Sequence, residues 1–143
     1  MTRPVRWHPS GHGGAERGSA VAEFVMVVGL LLFVALAVFQ LGLALYVRNT
    51  LTAAASEGAR YGARADADPA DGADRAASLI TSALNASFAS DVTAVAGQTP
   101  AGVRIVEVTV TAPLPVIGPI GLAGGLTVTG RAFAEEQVGG APP

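Results

Sequence analysis

Residues Phe24 to Val47 read FVMVVGLLLFVALAVFQLGLALYV, 24 residues without a charge. As a helix they reach roughly 36 Å at about 1.5 Å per residue, longer than the roughly 30 Å hydrocarbon core of a bilayer. Sixteen of them are Leu, Val or Phe, which together favour insertion by roughly 5 to 10 kcal/mol. Gln40, Gly29 and Gly42 subtract from that sum without reversing it. A buried core helix is the competing reading, but a chain of 143 residues can hardly cover a helix that is apolar on every face. A cleaved secretory signal has an apolar core of only about 7–15 residues, and here helix-compatible sequence continues from Arg48 to Arg64.

The flanks set an orientation. Arg3, Arg6 and Arg17 precede the run, and the stretch from Arg48 to the end carries 6 Arg against 9 Asp plus Glu. The arginine bias predicts a cytoplasmic N-terminus and an extracytoplasmic C-terminal domain at the plasma membrane, with Arg48 opposing it. The formal net charge of −2 argues against nucleic acid as the main partner, since a binder needs a basic patch. There is no cysteine, hence no disulfide framework and no thiolate metal site.

Beyond the span, Val47, Leu51, Ala54, Gly58 and Tyr61 recur at spacings of three and four. They predict an amphipathic extension of the helix to about Arg64, with a stripe of small residues suited to close contact with a helix or a sheet. ADADPADGAD, residues 65–74, offers four aspartates. Counted from Asp66 as an EF-hand loop, the fifth and twelfth positions are Ala70 and Ala77, so the calcium pattern fails. Asp68 as N-cap, Pro69 at the first helical position and Asp71 in the first turn explain the cluster better.

A second helix is predicted from Pro69 to about Phe88, with Ala73, Ala76, Ile80, Leu84 and Phe88 on one face. Strands are predicted at Asp91–Ala96, Val103–Thr111 and Leu126–Ala134. The apolar phase slips between Ile105 and Val106, which predicts a bulge. Pro113 to Gly125 is a Pro/Gly-rich loop that also carries Leu114, Val116, Ile117, Ile120 and Leu122. It reads as cover for the small sheet, with a partner-binding surface as the alternative. Residues 135–143 read as a disordered tail. The expected fold is therefore α+β: a long N-terminal transmembrane helix running into a small exported domain with a second helix and a short, three-stranded sheet.

The chemistry of catalysis is sparse. His8 and His12 are the histidines of the chain, and Pro9, Gly11, Gly13 and Gly14 oppose a helix that would bring them together. Without His or Cys after residue 12, a Ser-His-Asp or Cys-His nucleophile system is excluded from the exported part. No catalytic residue, metal site or cofactor is expected.

The mouth of the apolar run is Gly18-Ser19-Ala20-Val21-Ala22-Glu23-Phe24. On physical grounds Glu23 is a boundary residue near the positive end of a helix. The pattern of a glycine, four small or apolar residues, Glu, Phe and a long apolar helix resembles the processing site of type IV pilin-like proteins. Together with Tyr46-Val47-Arg48-Asn49 and the Ala54–Tyr61 segment AASEGARY, it resembles the TadE-like family of tight-adherence pilus systems over roughly Gly18 to Arg64. VTVTAPLPVIGPIGLAGGLTVTGRA resembles that family's C-terminal strands and loop more loosely.

The resemblance implies a minor pilin or pseudopilin with no enzymatic activity, acting in assembly of a tight-adherence type IV pilus or related secretion apparatus. It implies residues 1–18 as a cytoplasmic leader, cut by a prepilin-type aspartyl peptidase between Gly18 and Ser19. Glu23 then becomes the fifth residue of the mature chain, followed by Phe24. Residues 19–64 are the transmembrane and extended helix, 65–134 the exported domain. The implied partners are the membrane, the peptidase, other pilin-like subunits and the assembly platform. The alternative is a membrane-tethered extracytoplasmic binding module with no pilus role.

Overall fold

The computed structural model describes residues 13–114 and 125–135, with side chains from Gly18 onward. The leader up to residue 12 with His8 and His12, the loop residues Val116, Ile117, Ile120 and Leu122, and positions 136–143 of the tail lie outside the described residues. The chain divides into two units, Met1–Phe39 and Gln40–Pro143.

What is described of the first unit is helical, the early part of α1 (Gly13–Gly62). Large apolar side chains are exposed on all its faces, among them Val21 63%, Phe24 67%, Leu32 65% and Phe33 67%. A helix that is hydrophobic all round and covered by nothing has the character of a membrane span.

The second unit holds the rest of α1, then α2 (Pro69–Ala83), a 3₁₀ turn (Ala86–Ala89) and strands β1 (Asp91–Gln98), β2 (Arg104–Pro113) and β3 (Gly125–Phe133). The strands form an antiparallel meander in the order β1-β2-β3. Alternation along β2 is strict. Val106, Val108, Val110 and Ala112 are buried on one face, while Glu107, Thr109 and Thr111 are only half-buried on the other. The buried face meets Val47, Leu51, Ala54, Ala55 and Ala59 of α1 and Ala76 and Ile80 of α2 in one core. Both helices thus lie on the same side of the sheet, the arrangement expected when an antiparallel sheet has one wet face.

α2 begins where Asp68 and Pro69 predict. The Asp68 N–H donates to the Asp71 carboxylate at 2.9 Å, satisfying one of the amide donors at the helix start. It ends earlier than the periodicity predicts, at Ala83 rather than Phe88. The Asn85 side chain accepts from the Ser87 N–H at 2.8 Å and starts the separate 3₁₀ turn. This is the local competition by which asparagine favours caps over helix interiors. Leu84 and Phe88 still pack against the core from either side of that break.

Two further expectations are corrected. The bulge between Ile105 and Val106 is absent, because every residue of β2 from Arg104 to Thr111 has one partner on β1 and every one from Ile105 to Pro113 has one on β3. The phase slips because Ile105 belongs to the outer face, opposite Gly97 and Phe133, while Val106 belongs to the inner one. Tyr61 is 39% exposed and off the buried stripe. The stripe ends instead on Gly62 and Ala63, and one residue is about 100° of rotation round a helix. The Arg64 guanidinium sits 5.4 Å from the Tyr61 ring centre and also bonds both oxygens of Asp66, at 3.1 and 3.0 Å.

Candidate processing junction and its anchor helix

Gly18, Ser19, Glu23 and Phe24 all lie on α1 and are all exposed. Ser19 and Glu23 are four residues apart, so they stack one turn above the other on the same helix face. Among the described residues, no atom outside the local helix backbone approaches within 4 Å of where a Cβ at Gly18 would stand. The Gly18–Ser19 peptide lies within the helix, and a protease that needs an extended substrate has to unwind this turn, disrupting no tertiary packing among the described residues in doing so. The cost of fraying such an uncovered turn is small, because most helix stability in proteins comes from packing.

C-terminal to the junction, α1 is long and apolar enough to cross a membrane once, and its most apolar 18-residue stretch has no buried residue. Full burial starts at Val47, 2% exposed, after half-burial at Gln40, Leu43 and Ala44, and continues through Leu51, Ala54, Ala55, Gly58, Ala59, Gly62 and Ala63. The last uncharged residue of the span is thus the first residue of the core.

The small residues of that stretch are explained by three close contacts. A Cβ at Gly62 would stand 3.0 Å from the Asp68 carbonyl oxygen and 3.2 Å from Gly72 Cα. A Cβ at Gly58 would meet Ala76 Cβ at 2.8 Å. On the sheet side, a Cβ at Gly130 of β3 would fall within 2.4 Å of the Ala55 backbone. Sequence reading found the small-residue stripe but neither Gly72 nor Gly130 as its partners. The Gly58-x3-Gly62 spacing was the available signal for a helix, and the lone glycine inside β3 the signal for a close backbone approach.

On the outer face of the sheet, Val95, Gly97, Ile105 and Phe133 line a cleft of about 440 Å³ edged by the Glu107–Arg131 ion pair. Among the described residues no three His, Cys, Asp or Glu side chains gather to hold a metal ion.

No curated protein and no solved structure matches the chain. The family model described as TadE-like protein matches residues 18–60, so the junction, the span and its buried extension together carry the TadE-like signature.

Proposed function

We propose that this chain is a pilin-like protein, a minor pilin or pseudopilin, that takes part in assembling a tight-adherence type IV pilus or related secretion apparatus. The observation that carries this reading is where the TadE-like match falls. It starts at the glycine of the junction and ends inside the helix extension that packs beneath the sheet. An anchor and a head sharing one helix are what a pilin-like subunit needs.

In this reading the N-terminus is cytoplasmic and the head extracytoplasmic. A prepilin-type peptidase cuts between Gly18 and Ser19. Cleavage frees an α-amine on Ser19. When the helix joins a bundle of similar helices, that cation pairs with Glu23 of a neighbouring subunit. The pairing offsets the cost of a carboxylate in a low-dielectric site and fixes the axial register between subunits. The role is structural rather than catalytic.

N-terminal sequencing of the protein isolated from its native membrane tests this. A start at Ser19 supports the reading, and a start at Met1 or Thr2 overturns it. The second reading, a membrane-tethered binding module, draws on the apolar cleft of Val95, Ile105 and Phe133 on the outer sheet face. It predicts an uncut N-terminus and a monomer outside any pilus complex.

A further inference from the structure

The sheet has two free edges, and hydrogen-bond alternation fixes what each presents. The Ala134 N–H donates to the Arg104 carbonyl oxygen at 3.1 Å, so on β2 the even-numbered residues bond β3 and the odd-numbered ones bond β1. On β1 the N–H and C=O groups of Val92, Ala94, Ala96 and Gln98 therefore point away from the sheet. On β3 those of Thr127, Thr129, Arg131 and Phe133 do. Among the described residues, none of these backbone groups has a hydrogen-bond partner. The series on β3 closes at Glu135, whose N–H donates to the Ala63 carbonyl oxygen at 2.9 Å. Proteins commonly blunt such edges with lysine, proline, a bulge or an inward charge. From Val92 to Gln98, β1 has none of these. β3 carries one charge, Arg131, which is already paired with Glu107 of its own sheet. The exposed large apolar side chains of the described sheet are Val95, at 57%, and Phe133, at 68%. They stand on opposite edge strands.

We propose that neighbouring copies of this chain join edge to edge, β1 of one pairing in parallel with β3 of the next to form a continuous sheet. Chain sense selects the two edges. β1 and β3 are both antiparallel to β2 and so parallel to each other. β3 also runs in the sense of α1, since Gly130 faces the Ala55 backbone and Glu135 reaches Ala63. Copies anchored by α1 in one bilayer all point the same way, which opposes the antiparallel arrangement that β1 on β1 would need. Side chains select the register. With the neighbouring copy's Phe133 beside Gly97, its ring covers the glycine and lies diagonal to Val95. The same register sets the neighbouring copy's Arg131 stem beside Val95, its Thr129 beside Thr93 and its Thr127 beside Asp91, with no like charges opposed. The two edges differ, so the contact is heterologous and leaves a free edge at each end of a row for further copies. One pair of short strands is small beside the roughly 1,200–2,000 Å² of a stable interface. The pairing therefore depends on the high effective concentration of heads tethered to one membrane.

This inference rests on the reading that α1 anchors the chain in a membrane, and its test separates the two. The chain has no cysteine. Thr93 and Thr129 are exposed and flank Thr109 in one row of the sheet. They stand two strand spacings apart within a copy, roughly 10 Å, and one spacing apart between paired copies, roughly 5 Å. A disulfide needs Cα atoms about 4.4–6.8 Å apart, so cysteines at these positions can bond only between copies. The full chain carrying Thr93→Cys and Thr129→Cys is reconstituted in phosphatidylcholine vesicles, oxidised with copper phenanthroline and run on a non-reducing gel. Circular dichroism checks that the exposed substitutions keep the fold. The double variant is expected to give a ladder of dimers and longer oligomers. An equal mixture of the two single variants should stop at dimers, and each single variant alone should stay monomeric. A double variant that floats with the vesicles yet stays monomeric overturns the pairing. So does Thr93→Cys alone dimerising as fully as the mixture, which marks β1 on β1 or random collision. A chain that fails to float with the vesicles overturns the anchor, on which the pairing depends.

Discussion

Gly58 of α1 and Gly72 of α2 face each other so closely that a Cβ at Gly58 would stand 2.4 Å from the Gly72 carbonyl oxygen, and one at Gly72 would stand 2.6 Å from the Gly58 carbonyl oxygen. The two helices meet backbone to backbone, and neither tolerates a side chain at the crossing. Gly58→Val is therefore expected to destabilise the head by about 1–3 kcal/mol or more, the range for overpacking a tight interior. Gly42, with nothing within 4 Å, is the control: Gly42→Ala should leave the head unchanged. Thermal unfolding of the full chain in detergent, followed by circular dichroism, makes the comparison. Equal midpoints for the two variants would mean that the helices do not cross here.

Core and surface apolar residues should respond very differently. Ile80 is fully buried between α2 and the sheet, and Ile80→Ala should cost about 2–5 kcal/mol. Phe133 is larger but 68% exposed, so Phe133→Ser should stay within about 0.5 kcal/mol. Denaturant midpoints measured side by side decide the matter. A larger loss at Phe133 would show that the outer face of the sheet is covered in solution.

Glu107 and Arg131 sit opposite each other on β2 and β3 and form an ion pair on the outer face. The Arg131 side chain is 66% exposed, so solvent screens the attraction. A Glu107→Gln, Arg131→Gln double-mutant cycle should give a coupling of only about 0.2–1 kcal/mol. The coupling should shrink in high salt as the Debye length shortens. Coupling that survives at 1 M salt would contradict an exposed pair.

Glu23 separates the pilus reading from mere anchoring. Glu23→Ala removes the carboxylate one turn from Ser19 without touching the core, so the head should unfold as in the parent chain. Leader removal or incorporation with other pilin-like subunits should be lost. Immunoblotting of cell-surface and membrane fractions reads both, and a variant that is processed and assembled normally would sink the proposed pairing.

Much of this architecture was legible in the residues. A charge-free run of 24 residues marks the long apolar helix at the start of the chain, and Asp68-Pro69 marks the start of α2 to the residue. The three strands follow from β-branched runs between turn residues. What periodicity could not supply was the partner of each face. Ile105 counts as apolar in any window, yet its side of the sheet is set by register with Phe133. Asn85 breaks α2 through one side-chain hydrogen bond, which competes with a helical pattern that Leu84 and Phe88 still satisfy. Gly72 and Gly130 carry no hydropathy signal; their meaning lies in the backbone that comes against them. The junction at Gly18 and Glu23 is the reverse case. It is a sequence pattern on an exposed turn, and geometry adds only that no described residue packs against Gly18.

Within the second unit, Val47 is both the last residue of the uncharged run and the first fully buried residue of α1, so the apolar run ends inside the head's own core. The ten residues of β2 are at most about 33 Å long. The turn that joins β1 to β2 can therefore stand no farther than that from the end of the sheet nearest Val47. The second unit thus keeps its whole described sheet within a few nanometres of the helix stretch where the uncharged run ends.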